Sequence, residues 1–497
     1  MGLEKRNKSR FSRREFLRRI ASAGVGAPCL QLAAIHAPAL ALVEEPTDGL
    51  APSQGNQSFP IIRTTLSPED DLFLEEVEKA SFQFFWEQTD TGTGLAKDRS
   101  KAEGDDTREL GSIAATGFGL TAFCIGDSRG YADSSEILER VRTALRFFWK
   151  QMAQERGFFY HWVNIKTGAR IRDSEVSSVD STILLCGILT CRQYFDDPEI
   201  QDLAERIFNR VDWNWVAEDT RMLSLGWTPE SGFLPYRWDS YSELMMMYLL
   251  GIGSQSHPLD PDTWNAWKRP IFDYDDLRYI GSSAPLFANQ YSQAWFDFRN
   301  KRDKYADYFL NSAIATEANR RFCLSLEPRF PDYSNDLWGI TASDFEQGYA
   351  VWGGPPATGP IDGTVVPCAT GGSIPFLPQP TLRVLKNIKN RYAQAWSRYG
   401  FVDAFNPLKN WYDPDVIGID TGITLVMAEN ARSSLVWETF MRNPEAQRGL
   451  ELAGFHPYSP ANDQQPLFLP FSTAPSLEVG SAPKPAANPV VSGPARR

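Results

Sequence analysis

Histidine is scarce in this chain: four in 497 residues, and only His161, His257 and His456 beyond the first 41. None sits in a G-x-S-x-G setting or at metal-ligand spacing, which argues against a Ser-His triad and a His-led zinc site. Cysteine is equally thin, six in all, too few for a disulfide scaffold. Cys186 and Cys191 lie in an apolar run and read as inert buried thiols. No apolar run in the body approaches the roughly 20 residues a membrane-spanning helix needs. The best stretch, Leu244 to Ile252, is about half of that. A basic surplus is also missing. Lys+Arg is 50 against 62 Asp+Glu, a net charge of −12, which disfavours nucleic-acid binding. Few stretches alternate at period two, so a mainly β fold is excluded. No D-x-[DN]-x-[DN]-G calcium loop occurs, and no cofactor or metal is expected.

What is present begins with an export pattern. Ser12-Arg13-Arg14-Glu15-Phe16-Leu17 carries paired arginines, followed by an Ala- and Gly-rich stretch and Ala39-Leu40-Ala41. Residues 1–41 therefore read as a twin-arginine signal peptide, with periplasmic or secreted localisation expected. Cys29, after Gly26-Ala27-Pro28, is a poor lipid-attachment site. Removing 1–41 leaves 42 basic and 60 acidic residues, net −18. Residues 42–65 read as a linker. The segment 457–497 reads as a Pro/Ala-rich tail, with five prolines in its last 26 residues, too poor in apolar surface to order itself.

Residues 66–456 read as one catalytic domain. Ser67 before Pro68-Glu69-Asp70 is an N-cap signal leading into Leu72 to Trp86. Asp133 with Glu136 forms a capping box ahead of the helical period Ile137, Val141, Leu145, Phe148. Val176 to Phe195 and Tyr241 to Gly251 are apolar all round and predict helices buried on every side. Alternating amphipathic and buried helices predict an all-α fold in which an outer ring encloses an inner one. Long loops such as Leu225 to Trp238 and Gly348 to Gly372 are the expected carriers of function.

The chemistry-bearing residues are carboxylates set among aromatics, the pattern of glycoside-cleaving sites, where one acid protonates the leaving oxygen and a second activates water or attacks. Asp173, Glu175 and Asp180 stand at the head of a buried helix. There N-capping by Asp173 and a structural ion pair compete with a catalytic role. Glu243 ends the run Gly232 to Glu243, and Ser240-x-x-Glu243 is itself a capping box. A capping carboxylate and a protonated general acid are both open readings of Glu243. Asp344, Asp362 and Asp420 each lie beside Gly or small residues, where turn chemistry is the alternative. Trp213, Trp215, Trp238, Trp338 and Trp411 are candidate sugar platforms if exposed.

Several segments, in order from about Phe82 to Phe455, resemble the glycoamylase-like family: Gly111 to Leu120, Asp212-Trp213-Asn214-Trp215, Gly232 to Glu243, Asn289 to Trp295, Thr341 to Asp344, and Gly371 to Phe376. That family includes bacterial endo-β-1,2-glucanases and the transglycosylation domain of cyclic β-1,2-glucan synthases. The resemblance implies an (α/α)6 toroid with a glucan cleft at one end. Together with the export pattern, the leading expectation is an exported hydrolase, acting as a monomer, that cuts β-1,2-glucan internally with inversion, although the synthase relatives imply that the scaffold also supports retention. It also implies that Glu243 is the general acid, Glu175 the partner, and Asp173 and Asp180 the reserves. Substrate contacts are implied for Arg237, Trp238, Tyr241, Gln290 and Tyr291. Further contacts are implied for Trp338, Asp344, Asp362, Trp411 and Asp420. The family often has His where Asn289 and Gln293 stand, and Gln-Gly-Pro where Thr421-Gly422-Ile423 stand, so linkage and chain-length preference stay open. A glucoamylase-type α-glucan hydrolase and a non-catalytic glucan-binding protein remain alternatives. A polysaccharide lyase fits poorly with an acidic chain.

Overall fold

The computed structural model describes residues 66–282 and 285–458; the expected signal peptide, the linker and all but two residues of the tail lie outside that range. Thirteen α-helices run through the described residues. They are α1 (Pro68–Gln88), α2 (Ile113–Arg129), α3 (Ser134–Lys150), α4 (Ser178–Tyr194), α5 (Pro198–Asn209), α6 (Trp213–Ala217), α7 (Met245–Gly253), α8 (Tyr308–Ser325), α9 (Pro367–Gly371), α10 (Pro378–Arg391), α11 (Gly418–Arg432), α12 (Leu435–Phe440) and α13 (Pro444–Leu452).

Two kinds of helix follow one another, as the hydrophobic pattern predicts. Helices α3, α5 and α10 bury a single stripe, such as Ile137, Val141, Leu145 and Phe148 of α3. Helices α2, α4, α7 and α9 are buried over most or all of their surface. The start signals hold: Ser67 Oγ accepts from Asp70 N, and Asp133 accepts from Ser135 N and Glu136 N. Two boundaries move. Val176–Ser177 is a strand, and Ser177, not Asp173, caps α4 by accepting from Asp180 N. Helix α7 begins only at Met245, with Leu244 at its N-cap and no side chain capping it.

Helices α2 and α4 cross almost backbone to backbone. A methyl group on Gly187 would lie 2.1 Å from the Gly117 carbonyl oxygen, and one on Gly117 would lie 2.3 Å from that of Ile183. Only glycine leaves room for this approach.

Short antiparallel strands sit at the N-terminal ends of α2, α4 and the largely buried α11. Leu110–Ser112 pairs with Trp162–Asn164, Val176–Ser177 with Gly226–Thr228, and Arg99–Lys101 with Asp415–Ile417. Each of these pairs delivers the chain directly into a buried helix, α2, α4 or α11. This fixes where residues at those helix heads project. At the far end of the body His456–Pro457 pairs with Lys301–Arg302, and Tyr458 N donates to Asn300 O at 2.8 Å. The docked chain therefore runs two residues past the boundary expected at 456. All five cysteines of the body are buried and free. Burial alone raises the Cys186 thiol well above its ordinary range, in keeping with an inert side chain.

Candidate active site

The heads of α2, α4 and α11 open onto one cavity of about 470 Å³. Ser112, Glu175, Asp180 and Asp420 reach it from at or just before the helix starts, Asp98 and Arg99 from the start of the strand that pairs with Asp415–Ile417, and Asp344 and Tyr349 from the hairpin of Ser343–Phe345 and Gly348–Ala350. Of the residues singled out in the sequence, Glu175, Asp180, Asp344 and Asp420 thus meet in one place.

On one wall the organising group is His161, which the sparse-histidine argument passed over. Its Nδ1 lies 3.4 Å from Glu175 Oε1 and its Nε2 3.6 Å from Asp180 Oδ2. The ring stacks on Trp162, with centroids 4.2 Å apart. Its backbone N–H donates to the Glu175 carbonyl at 2.9 Å, so the strand pairing that starts α4 also sets the imidazole between two acids. Ser177 Oγ, the α4 cap, donates to Asp180 Oδ2 at 2.6 Å. A carboxylate in a nearly closed site is tolerated because it is hydrogen-bonded. The signal that points to His161 is local: it is the body's one histidine between two aromatic residues, Tyr160 and Trp162.

The opposite wall is built around Arg99. Its guanidinium donates to Asp344 Oδ2 at 2.6 Å and to Asp98 Oδ2 at 3.0 Å. Trp162 Nε1 donates to Asp98 Oδ1 at 3.3 Å and ties the two walls together. Asp344 N in turn donates to Asp403 Oδ2 at 2.6 Å. Burial pushes the Asp420 carboxyl up to about 6, with bonds from Asp403 and Cys368 pulling the other way. Asp403 is raised well above its ordinary value by burial and by the neighbouring charges of Asp420, Asp413 and Asp344. Asp413 goes up to about 8, through burial and then Asp344. Of these three only Asp420 lines the cavity; the raised values register burial and the mutual repulsion of the acids behind it.

Other residues named from the sequence stand elsewhere. Asp173 is exposed on a left-handed turn with φ 48° and does not line the cavity. Trp213, Trp238 and Trp338 are closed off, at 0%, 3% and 0% exposure, so they are packing rather than exposed platforms. Trp238 Nε1 donates to Ser178 Oγ at 2.9 Å. Trp215 is half-buried against Phe233, and Trp411 sits half-buried in a strand pair with Phe405–Asn406. Tyr241 donates to Asn289 Oδ1 at 3.0 Å inside the core. Gln290 donates to Ala369 O at 2.9 Å and Ser373 Oγ at 2.7 Å. Tyr291 packs between Phe118 and Phe287. Arg237 is held by Glu218. Asp362 follows its turn reading: Oδ1 accepts from Thr364 N at 3.0 Å while Lys409 takes Oδ2 at 2.7 Å.

Glu243 lies on the turn before α7 and is 1% exposed. It does not close a capping box, because the helix starts too late for it to stand at the third helical position. Ser292 bridges this turn, donating to Glu243 O at 2.9 Å and accepting from Met246 N at 3.2 Å. The Trp238–Ser178 bond ties the loop before this turn to the first residue of α4, while Glu243 itself is not among the residues that line the cavity.

Comparison with known proteins agrees with the resemblance read from the sequence. Residues 235–444 match the family model described as "Glycoamylase: Putative glucoamylase". The likeness to that family covers this stretch, less than half of the chain. An exo β-1,2-glucooligosaccharide sophorohydrolase (non-reducing end) of Parabacteroides distasonis is 27% identical over 439 residues, covering 80% of this chain and 60% of its own length. This chain therefore spans about 60% of the curated relative it matches. The endo-β-1,2-glucanase of Chitinophaga pinensis, solved with sophorotriose and glucose, superposes with a TM-score of 0.73 at 27% identity, covering 79% of this chain and 99% of that one. A β-1,2-glucanase structure from Parabacteroides distasonis gives a TM-score of 0.73 at 26% identity, over 79% and 61%.

Proposed function

We propose that this chain is a glycoside hydrolase of (α/α)6 toroid architecture that cleaves β-1,2-glucan internally with inversion. The observation that carries the reading is the cavity where Glu175, Asp180, Asp344 and Asp420 converge with Trp162 and Tyr349 at the heads of buried helices. Carboxyls in two environments beside aromatic faces suit protonation of a glycosidic oxygen on one side and activation of water on the other. The activities printed for the relatives above support β-1,2-glucan as the substrate.

Within this reading Glu243 is the general acid. The loss of its capping role and its burial at the α7 head support that assignment. Glu175 is the water-activating carboxylate, with His161 holding its orientation and Asp180 as reserve. Asp173, exposed and outside the cavity, drops from the reserve. Inversion asks for carboxyl groups roughly 6.5–9.5 Å apart, leaving room for the water.

Proton NMR during incubation with linear β-1,2-glucan, starch or laminarin tests the proposal. The expected result is turnover of β-1,2-glucan alone, with a mixture of oligosaccharides and the α-anomer formed first. Starch turnover would replace the reading with an α-glucan hydrolase. Binding without turnover would make it a glucan-binding protein, a lone disaccharide product an exo-acting enzyme, and a first-formed β-anomer a retaining one. Glu243→Gln should keep the melting temperature and lose about 10²–10⁴-fold in rate; a near-silent Glu243→Gln removes Glu243 from catalysis.

A further inference from the structure

Behind the Arg99 wall, three carboxylates from separate segments converge: Asp344 from the strand Ser343–Phe345, Asp403 from the turn after Gly400–Phe401, and Asp413 from the turn before Asp415–Ile417. Their oxygens come within 4.8 Å of one another. All three side chains are more than nine-tenths buried, at 6%, 2% and 4% exposure. Each is anchored at one oxygen, and Asp403 also shares a side-chain hydrogen bond with Asp420. Asp344 Oδ2 takes Arg99, Asp403 Oδ2 takes Asp344 N, and Asp413 Oδ1 takes Asp415 N at 2.9 Å. The second oxygen of each, Asp344 Oδ1, Asp403 Oδ1 and Asp413 Oδ2, is buried with no hydrogen-bond partner.

A buried carboxylate oxygen without a donor is costly, and three together repel one another. Arg99 cannot neutralise the group, because it is shared with Asp98 and lies 3.9 Å from Asp415 as well. We propose that Asp344, Asp403 and Asp413 form a binding site for a hard divalent cation, calcium above all, that braces the back of the cleft.

The donor set is oxygen only, which suits calcium or magnesium and not zinc. Calcium–oxygen distances of roughly 2.3–2.6 Å place opposite ligands about 5 Å apart, and magnesium about 4 Å. Oxygens within 4.8 Å of one another can be spanned by either ion, and calcium is favoured because it accepts irregular geometry where magnesium demands a near-ideal octahedron. The ion has a route in: Asp413 also lines a second cavity of about 620 Å³, with Arg108 and Asp415. Occupation would hold Asp344, and through it Arg99, in place on the cleft wall. The site is a structural brace that shares Asp344 with the cleft wall but neither Glu243 nor Glu175, and it does not rest on the hydrolase reading.

The test reads metal and melting temperature, not activity. The full chain, dialysed against EDTA at pH 7, is titrated with calcium, and metal bound after gel filtration is counted by mass spectrometry. One equivalent per chain and a rise in Tm of roughly 2–4 °C at millimolar calcium are expected. Asp413→Asn, which removes one charge from a residue that does not line the cleft, should abolish both. Calcium that neither binds nor shifts Tm in the parent chain overturns the proposal, as does an Asp413→Asn variant that folds and responds to calcium unchanged. If Asp413→Asn fails to fold, the parent chain's stoichiometry decides alone.

Discussion

Asp307 shows how a single buried carboxyl ties stability to pH. It caps α8 by accepting from Leu310 N at 2.9 Å, yet it is 3% exposed. Burial outweighs the bonds from Leu310 and Phe309 and the attraction of Arg302, and raises its pKa to about 6 from 3.8. The folded state therefore binds the proton more tightly than the unfolded chain does. Below about pH 4 both states are protonated and the carboxyl does no harm. As pH rises through 6 the folded state must hold an ionised group it disfavours, and stability is lost, by up to about 3 kcal/mol. Asparagine keeps the capping oxygen without the charge. Asp307→Asn should raise Tm at pH 7.5 and lose that advantage by pH 4. An equal shift at both values would show that ionisation is not its cause. At this same scale the sequence told unevenly. Glu175, Asp180, Asp344 and Asp420 were legible because acids beside helix starts and small residues are rare enough to notice. Asp98, Arg99, Asp403 and Asp413 were not, because an ordinary acid or arginine gains its meaning only when segments hundreds of residues apart meet, as Arg99 meets Asp344. The tryptophans misled for the converse reason: composition cannot tell a ring that faces a cleft from one that fills a core.

The element scale was the most readable, since hydrophobic period alone separates stripe-buried helices such as α3 from all-buried ones such as α4. What period cannot supply is the two-residue strand, which contributes too few side chains to alternate. Those strands moved the start of α4 to Ser178 and left Ser177 to cap it. The period also says nothing of how closely two buried helices approach. Between α2 and α4 that distance is set by Gly117 and Gly187, each of which would drive a methyl group into the other helix's backbone oxygen. A backbone carbonyl cannot rotate aside as a flexible side chain can. Gly187→Ala should therefore destabilise by about 2–4 kcal/mol, at or above the upper range for overpacked cores. The urea midpoint reports it. Because α2 and α4 both feed the cavity, the surviving folded fraction should also bind glucan more weakly. An unchanged midpoint would mean that the helices part at no cost and that their contact does not fix the cleft.

For the whole molecule, the free cysteines bear on where folding is completed. Cys124, Cys186, Cys191, Cys323 and Cys368 are all buried and free. Cys124 and Cys191 face each other at 3.7 Å, and each thiol also approaches the Leu120 carbonyl. No disulfide joins any described residues, so the body has no covalent step that waits for an oxidising compartment. A chain that folds completely in reducing surroundings is suited to a route that carries folded cargo. The pair Arg13-Arg14 before Phe16-Leu17 is the pattern expected of such an address, although the segment itself lies outside the described residues. We propose export by the twin-arginine route. Lysine keeps the charge but not the paired guanidinium groups, so it separates a specific signal from a merely basic arm. In a bacterial host, Arg13→Lys with Arg14→Lys should leave full-length protein in the cytoplasm, folded and melting at the temperature of the exported form. Blotting of cytoplasmic and periplasmic fractions reads the outcome. Mature-sized protein still reaching the periplasm from the double variant would show that the arginines are not the address. Cytoplasmic protein that is retained but unfolded would show that the body depends on the compartment it is sent to.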